Sequence, residues 1–236
     1  MPEATAPSPP SILLVGASRG LGAAMADDFA QRGWRVVGTV RGAGRTGLHE
    51  LADQHAGQIA IEILDITRPD QIAMLRERLS PQGFDILFVN AGVTNNPQET
   101  IADVTTEEFV RVMVTNALSP MRVVEALQGL VPPGGAIGVM SSGQGSVSNN
   151  TTGMREVYRS SKAALNMLMR SFAARHADDP RALVLMAPGW VKTDMGGPEA
   201  RLTIEESVPN LVAVLLAQPG APGLRYLDYL GRTVPW

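Results

Sequence analysis

Short apolar runs recur along the chain and are separated by longer stretches of helix-forming residues. The runs are rich in Ile, Leu and Val and end at glycine or polar residues, which predicts strands buried on both faces. We expect strands at residues 11–15, 35–40, 59–64, 84–89, 136–140 and 182–187, with a further edge strand at 226–229. We expect helices at residues 21–32, 68–79, 105–130 and 154–176, and a last helix from 203 onwards.

Two of the predicted helices begin with a capping box. Thr105 with Glu108, and Thr203 with Glu206, have the spacing in which each side chain bonds the backbone of the other residue. Pro120 should interrupt the helix that starts at 105, because proline has no amide hydrogen.

Strands and helices alternate without hairpin signals, which predicts an α/β fold. We expect a single-domain, Rossmann-like, doubly wound parallel sheet of about seven strands with helices on both faces. The domain should span residues 11–236, after a disordered, proline-rich tail at 1–10 that lacks the features of a secretory signal. The irregular segment 189–200 is typical of a lid. Pro209 lies inside the last predicted helix, where its missing amide weakens the helical pattern.

Composition restricts the classes of function. The 236 residues are 44% hydrophobic and 18% charged, a balance that supports a folded core. A net charge of -3 offers no cationic surface, and no apolar run has the length of a membrane span, so we expect neither nucleic acid nor membrane as a partner. The lack of cysteine excludes thiolate catalysis, and the three scattered histidines show no ligand spacing, so we expect no metal. We expect a cytoplasmic protein.

A glycine-rich turn, GASRGLG at 16–22, follows the first predicted strand. Glycine lets the backbone bend tightly and approach a ligand, and the helix that follows offers free N–H groups to a pyrophosphate. We therefore expect a dinucleotide site formed by Gly16, Ser18, Arg19, Gly20, Leu21 and Gly22. For this motif alone, a tight turn without a ligand is the alternative.

The same turn also fits the G-x-S-x-G nucleophile elbow of serine hydrolases. That mechanism needs an acid and a histidine after the serine, and an elbow well inside the sheet. Here the elbow follows the first strand, His49 and His55 fall in a polar crossover, and His176 lies at a polar helix end. The sequence therefore disfavours a serine hydrolase.

The residue after the second predicted strand indicates which dinucleotide is bound. A carboxylate at this place holds the ribose of NAD, whereas an arginine accepts the extra phosphate of NADP. Arg41 follows the strand, no acidic residue occurs between Asp28 and Glu50, and Arg19 is a second cation nearby. We expect NADP(H) in preference to NAD(H); the alternative is that both arginines are solvated surface charges.

Polar residues and glycines also end the other predicted strands. In doubly wound sheets the carboxyl ends of the strands form the edge where ligands bind. We expect Asp65, which could accept from the adenine amine, to bind the cofactor together with Ile66, Asn90, Ala91, Gly92, Pro188 and Gly189.

Tyr158 and Lys162 lie four residues apart on a predicted helix, so that the phenol and the ammonium share one face. A tyrosine with its ordinary pKa near ~10 is a poor acid/base at neutral pH, and a nearby cation should lower that pKa. A surface Tyr–Lys pair without a catalytic role is the alternative when this pair is considered alone.

Together these motifs resemble the short-chain dehydrogenases/reductases, in particular the carbonyl reductase and C-factor-like subgroup. The resemblance covers residues 11–236 and rests on the Gly16 turn, Asn90-Ala91-Gly92, Asn116, Ser142, Tyr158, Lys162 and Pro188-Gly189. It implies an NADPH-dependent oxidoreductase that transfers a hydride between the nicotinamide and a carbonyl or alcohol carbon. It also implies a homodimer or homotetramer joined through the helices that contain Asn116 and Tyr158.

The resemblance implies a role for each of these residues. Tyr158 is the general acid/base, and Ser142 hydrogen-bonds the substrate oxygen. Lys162 binds the nicotinamide ribose and lowers the pKa of Tyr158, while Asn116 holds a water that relays protons to Lys162. Val191 and Thr193 follow Pro188-Gly189, and Thr193 is expected to touch the nicotinamide carboxamide.

The segment 143–153, rich in Gly, Ser, Thr and Asn, is expected to line the mouth of the substrate site. We expect Gln144, Val147, Met154 and Trp190 to join Ser142 and Tyr158 around a small, neutral carbonyl or alcohol substrate. The alternative function is a non-catalytic, NADP-binding signalling or regulatory protein on the same fold.

Overall fold

The computed structural model describes residues 8–236 and contains one seven-stranded parallel sheet, in the order β3-β2-β1-β4-β5-β6-β7. The strands are β1 Ser11–Val15, β2 Arg35–Val40, β3 Ile59–Ile63, β4 Ile86–Val89, β5 Ala136–Met140, β6 Ala182–Ala187 and β7 Gly223–Asp228. Strand order reverses between β1 and β4, whose ends are in register at Val15 and Val89. The predicted Rossmann-like sheet is therefore confirmed, with its switch point beside the glycine-rich turn.

Helices cover both faces of the sheet. They are α1 Gly20–Gln31, α2 Gly47–Gln54, α3 Pro69–Leu79, α4 Thr106–Met113, α5 Ser119–Leu127, α6 Glu156–Arg175 and α7 Ile204–Leu216. One core cluster packs side chains of α1 and α7, such as Phe29 and Leu211, against the sheet. The other packs side chains of α3, α5 and α6, such as Leu75, Val123 and Leu165, against the opposite face. Because both faces are covered, the central strands are apolar throughout rather than alternating.

The long helix expected over 105–130 is divided differently from the prediction. The α-helical pattern ends at Met113, a π-helical turn covers Val114–Leu118, and a 3-10 turn covers Gln128–Leu130. Pro120 itself lies in the first turn of α5, where a missing amide costs little. The wider turn comes before the proline because its ring would clash with the carbonyl four residues earlier, that of Asn116.

Other boundaries also differ. Helix α2 was not predicted; its eight residues carry one buried apolar side chain, Leu48, so the periodic signal is weak. Helix α6 begins at Glu156, two residues later than expected, and β7 begins at Gly223, three residues earlier. Helix α7 continues through Pro209, which has no amide hydrogen to donate. In the same turn, the Asn210 side chain donates to the Glu206 carbonyl at 2.9 Å.

Positions 1–7 of the proline-rich tail expected at 1–10 lie outside the described residues. Residues 8–10 are exposed and precede β1. Within 8–236, no helix combines the length and the apolar character that crossing a bilayer requires.

Candidate active site

The glycine-rich turn packs directly against the end of β4. Gly16 has φ +90°, and a Cβ on it would lie 2.7 Å from the Ala91 nitrogen. A Cβ on Gly22 would overlap the Gly16 carbonyl oxygen. The Asn90 side chain donates to that same carbonyl at 2.7 Å. Two of the glycines are therefore required by packing within the protein, and Asn90 holds the shape of the turn.

Gly20 differs from these two glycines because it faces open space. It has φ +57°, and the atom nearest to a Cβ on this residue would be a Thr193 methyl at 3.8 Å. It begins α1, whose first turn carries neither an acidic residue nor a side-chain cap. Free backbone N–H groups at a helix start, beside open space, are suited to bind a phosphate. Ser18 and Leu21, in the same turn, are both half-buried.

The two expected phosphate-binding arginines are both accessible. Arg41 follows β2, as predicted, and is exposed. Arg19 forms an ion pair with Asp194 at 2.6 Å, and both side chains are more than three-quarters exposed. This ion pair joins the glycine-rich turn to the 189–200 segment and was not foreseen, because 175 residues separate its partners.

The remaining expected cofactor residues lie along the same edge. Asp65 Oδ1 accepts from both the backbone and the hydroxyl of Thr67, and the Ile66 side chain is buried in the core. Gly189 has φ +82° and packs against Leu202, while the Thr193 hydroxyl accepts from the Gly196 amide at 3.1 Å. Of the others, Pro188 accepts a hydrogen bond from buried Ser207, and Val191, within the 189–200 segment, is buried.

Lys162 is nearly inaccessible, with 3% of its surface exposed. Its ammonium donates to the Met140 carbonyl at 2.8 Å and lies 5.9 Å from the centroid of the Tyr158 ring. Within residues 8–236 this is the one hydrogen bond of a group that has three donors. Burial lowers the pKa of Lys162 to about 8.

Gly92, in the segment that follows β4, lies close to Asn116 and to Lys162 of α6. A Cβ on Gly92 would lie 3.3 Å from Asn116 Oδ1 and 3.5 Å from Lys162 Nζ. The Asn116 amide accepts from the Val93 nitrogen and donates to the Val93 carbonyl, each at 2.8 Å, and it also donates to Ser161 at 3.0 Å. Asn116, in the π-helical turn, and Lys162 therefore both lie beside Gly92.

Tyr158 is buried, with 8% of its surface exposed, and its phenol lies beside the Ser142 side chain. Burial raises the pKa of Tyr158, whereas the Ser142 hydroxyl and the positive charge of Arg155 act in the opposite direction. The expectation that Lys162 lowers this pKa is not met in the structure. The reason is that the loss of solvent around the phenol outweighs its neighbours, and the ammonium is turned towards Met140.

The residues expected to contact the substrate differ in their exposure to solvent. Val147, Met154 and Trp190 are 73%, 50% and 45% exposed, and Trp190 donates from its ring nitrogen to Gly196. Gln144 differs, because its side-chain oxygen is buried and has no hydrogen-bond partner among residues 8–236.

A polar network beneath Ser142 was not predicted from the sequence. The Tyr226 hydroxyl on β7 donates to the Ser142 carbonyl. Asn166, one turn after Lys162, bonds the Ser141 hydroxyl at 2.6 Å and the Gly145 carbonyl at 3.2 Å. The spacing of Asn166 from Lys162 is the one signal that could have revealed it.

The main-chain oxygen of Trp236 accepts hydrogen bonds from the segment that follows Ser142. It accepts from the Ser148 amide at 3.1 Å and from the Ser148 hydroxyl at 2.8 Å. The Trp236 ring lies 5.4 Å from the ring of Tyr226. The segment that carries Ser142 is therefore held by residues from the end of the chain.

The fold and this site define a Rossmann-type protein with an Asn–Ser–Tyr–Lys group at the carboxyl edge of its sheet. The family model described as enoyl-(acyl carrier protein) reductase matches residues 16–209. The chain belongs to the short-chain dehydrogenase/reductase family of oxidoreductases.

Three similar proteins span a range of relationships. A short-chain dehydrogenase/reductase from Burkholderia multivorans, crystallised with bound NADP, is 65% identical, with a TM-score of 0.95, and the match covers 97% of this chain and 100% of that one. A carbonyl reductase from Pseudomonas aeruginosa PAO1 in complex with NADP is 37% identical, with a TM-score of 0.90 and the same coverage. The C-signal protein of Myxococcus xanthus is 38% identical over 64% of this chain and 92% of its own length.

Proposed function

We propose that this protein is an NADPH-dependent reductase of carbonyl compounds, with Tyr158 as its general acid/base. The observation that carries the proposal is the meeting of Tyr158, Ser142, Lys162 and Asn116 at the edge of the sheet where the glycine-rich turn lies. A hydride-transferring site needs a proton source for the substrate oxygen and donors for a dinucleotide, and this group contains both.

The residues present fit a nicotinamide dinucleotide. The buried Lys162 ammonium has two donors beyond its bond to Met140, which suits ribose hydroxyls. Gly20 leaves open space at the start of α1, which suits a pyrophosphate. Arg41 and Arg19 suit the additional phosphate of NADP, and the NADP-bound relatives from Burkholderia and Pseudomonas support that choice.

When bound, the reduced dinucleotide supplies the hydride that the reaction requires. Tyr158 is protonated at neutral pH and donates its proton to the oxygen of the carbonyl group. The Ser142 hydroxyl and the positive charge of Arg155 favour this transfer, because they oppose the rise in the pKa of Tyr158 that burial causes. The Ser142 hydroxyl bonds the same oxygen and stabilises the negative charge that develops there. By the family resemblance, Asn116 holds a water that returns the proton by way of Lys162, and both side chains lie beside Gly92.

The test is reduction of aldehydes, ketones and diketones, followed by loss of NADPH absorbance. Tyr158→Phe should lower turnover by at least about 100-fold, because the proton donor is lost, while NADPH binding followed by fluorescence persists. Tyr229→Phe, which removes a phenol just after β7 and away from Ser142 and Lys162, is the matched control. Full turnover by Tyr158→Phe would contradict the proposed role.

Cofactor choice has its own test. Arg41→Ala should weaken binding of NADPH, but not of NADH, by about 10-fold or more, as expected for a charged hydrogen bond to a phosphate. Arg45→Ala removes a nearby arginine that pairs with Asp53 and serves as the control. Tighter binding of NADH than of NADPH by the unaltered protein would overturn the assignment.

The similarity to C-signal supports a second candidate, a non-catalytic signalling or regulatory protein that binds NADP. The two candidates differ in what Tyr158→Phe does in a cell. Loss of the biological function in this variant supports the enzyme, and full function with NADPH binding intact supports the regulator. Assembly into a dimer or tetramer stays a prediction.

A further inference from the structure

Arg155, immediately before α6, has a backbone conformation that is costly for an arginine. Its φ of 62° and ψ of 43° are left-handed, and among residues 8–236 it is the only residue other than glycine with a positive φ. This conformation is strained for a residue that carries a Cβ, whereas glycine adopts it freely. Strain of this kind persists where neighbouring structure holds it, often at functional sites.

The guanidinium of Arg155 lies beside the phenol of the site. Its central carbon is 5.7 Å from the centroid of the Tyr158 ring, and the residue is half-buried. Within residues 8–236 its side chain forms neither a hydrogen bond nor an ion pair, although it has five N–H donors. By contrast, Arg159, one turn later, donates to the Met154 carbonyl and to the Thr152 hydroxyl.

Neighbouring charges do not neutralise Arg155. The carboxylate of Glu156 accepts from the Ile101 amide at 2.6 Å. The Lys162 ammonium carries the same sign of charge and donates to Met140. A half-buried, unpaired guanidinium is unfavourable unless an anion meets it, and its planar fork matches a carboxylate.

We propose that Arg155 determines specificity by binding a carboxylate that the substrate carries close to its reacting carbonyl group. This inference rests on the proposed function and deepens it, because the preferred substrates become keto acids and the corresponding hydroxy acids. It differs from the neutral substrate that the sequence suggested. The difference arises because the position and isolation of this guanidinium depend on the left-handed backbone at residue 155.

The test compares keto acids with their methyl esters, which have the same carbonyl group but no negative charge. The unaltered protein should show a higher kcat/KM for the acid, and Arg155→Gly should lower the acid-to-ester ratio by about 10- to 100-fold, mainly through KM. The ratio cancels any effect of the substitution on Tyr158, because both substrates share that step. Arg122→Gln, on the exposed face of α5, should leave the ratio unchanged.

Glycine is the informative replacement because it also relieves the backbone strain. Arg155→Gly should melt at the same temperature as the unaltered protein or higher, so that a lost preference for acids cannot be ascribed to unfolding. An unchanged acid-to-ester ratio in this variant, or a preference of the unaltered protein for esters, overturns the inference.

Calorimetric titration of a keto acid into the NADP-loaded protein separates this inference from the proposed function. Keto acid binding that Arg155→Gly abolishes supports the carboxylate site even if no substrate is reduced. Reduction of esters without any binding of keto acids overturns the carboxylate site and leaves the proposed reductase intact.

Discussion

Replacing Lys162 by methionine should abolish turnover and yet stabilise the fold. Methionine keeps the length and apolar stem of the side chain but removes a charge that is only 3% exposed. The fall in the pKa of Lys162 from 10.5 to about 8 corresponds to a cost of roughly 3 kcal/mol for keeping the ammonium in the folded protein at neutral pH. Losing the bond to Met140 costs about 1 kcal/mol, so the variant should be about 2 kcal/mol more stable.

The assay is urea unfolding without dinucleotide, at neutral pH and again near pH 10. Between about pH 8 and 10.5 the unfolded chain keeps a proton that native Lys162 has lost, so this group makes the unaltered protein more stable as pH rises. The advantage of Lys162→Met should therefore shrink from about 2 kcal/mol at neutral pH to nearly zero near pH 10. Other groups that titrate in this range cancel in the difference.

Lys192→Met is the matched control, because Lys192 is the only other lysine and is exposed. It should change stability by less than about 0.5 kcal/mol at either pH. The reasoning is refuted if Lys162→Met is less stable than the unaltered protein at neutral pH, or if its advantage does not change with pH.

Two further variants test the contacts around the site. Gly16→Ala should lower the free energy of unfolding by about 3 kcal/mol or more, because a Cβ at this positive φ is strained and also clashes with Ala91. Gly57, with φ +81°, has open space around it, so Gly57→Ala should show the loss from strain alone. Equal losses of stability in the two variants would disprove the clash. Tyr226→Phe removes the hydroxyl that holds the Ser142 carbonyl, and Ser142 is the residue that lowers the pKa of Tyr158. This variant should lower kcat/KM about 10-fold and move the Tyr158 step of the pH–rate profile to higher pH. An unshifted profile would show that Tyr226 does not position Ser142.

Much of the architecture could be predicted from the sequence because it depends on local patterns. Apolar runs ended by glycine or polar residues located six strands to within about two residues at each boundary, and the Gly16 turn predicted which edge of the sheet would bind the cofactor. The spacing of Tyr158 and Lys162 was enough to place them on one helical face. The short helix α2 escaped because its pattern contains a single buried side chain.

The tertiary structure alone decided the electrostatics and support of the site. The pKa of Tyr158 is raised rather than lowered, because it depends on how much water the surrounding elements exclude. Tyr226 reaches Ser142 across 84 residues of chain, and no local pattern records such a contact. The unpaired charge of Arg155 likewise depends on a left-handed backbone conformation, which an arginine seldom adopts and which its residue type therefore does not predict. Periodicity reports which way a side chain faces, whereas solvent exclusion and pairing depend on elements brought together only by folding.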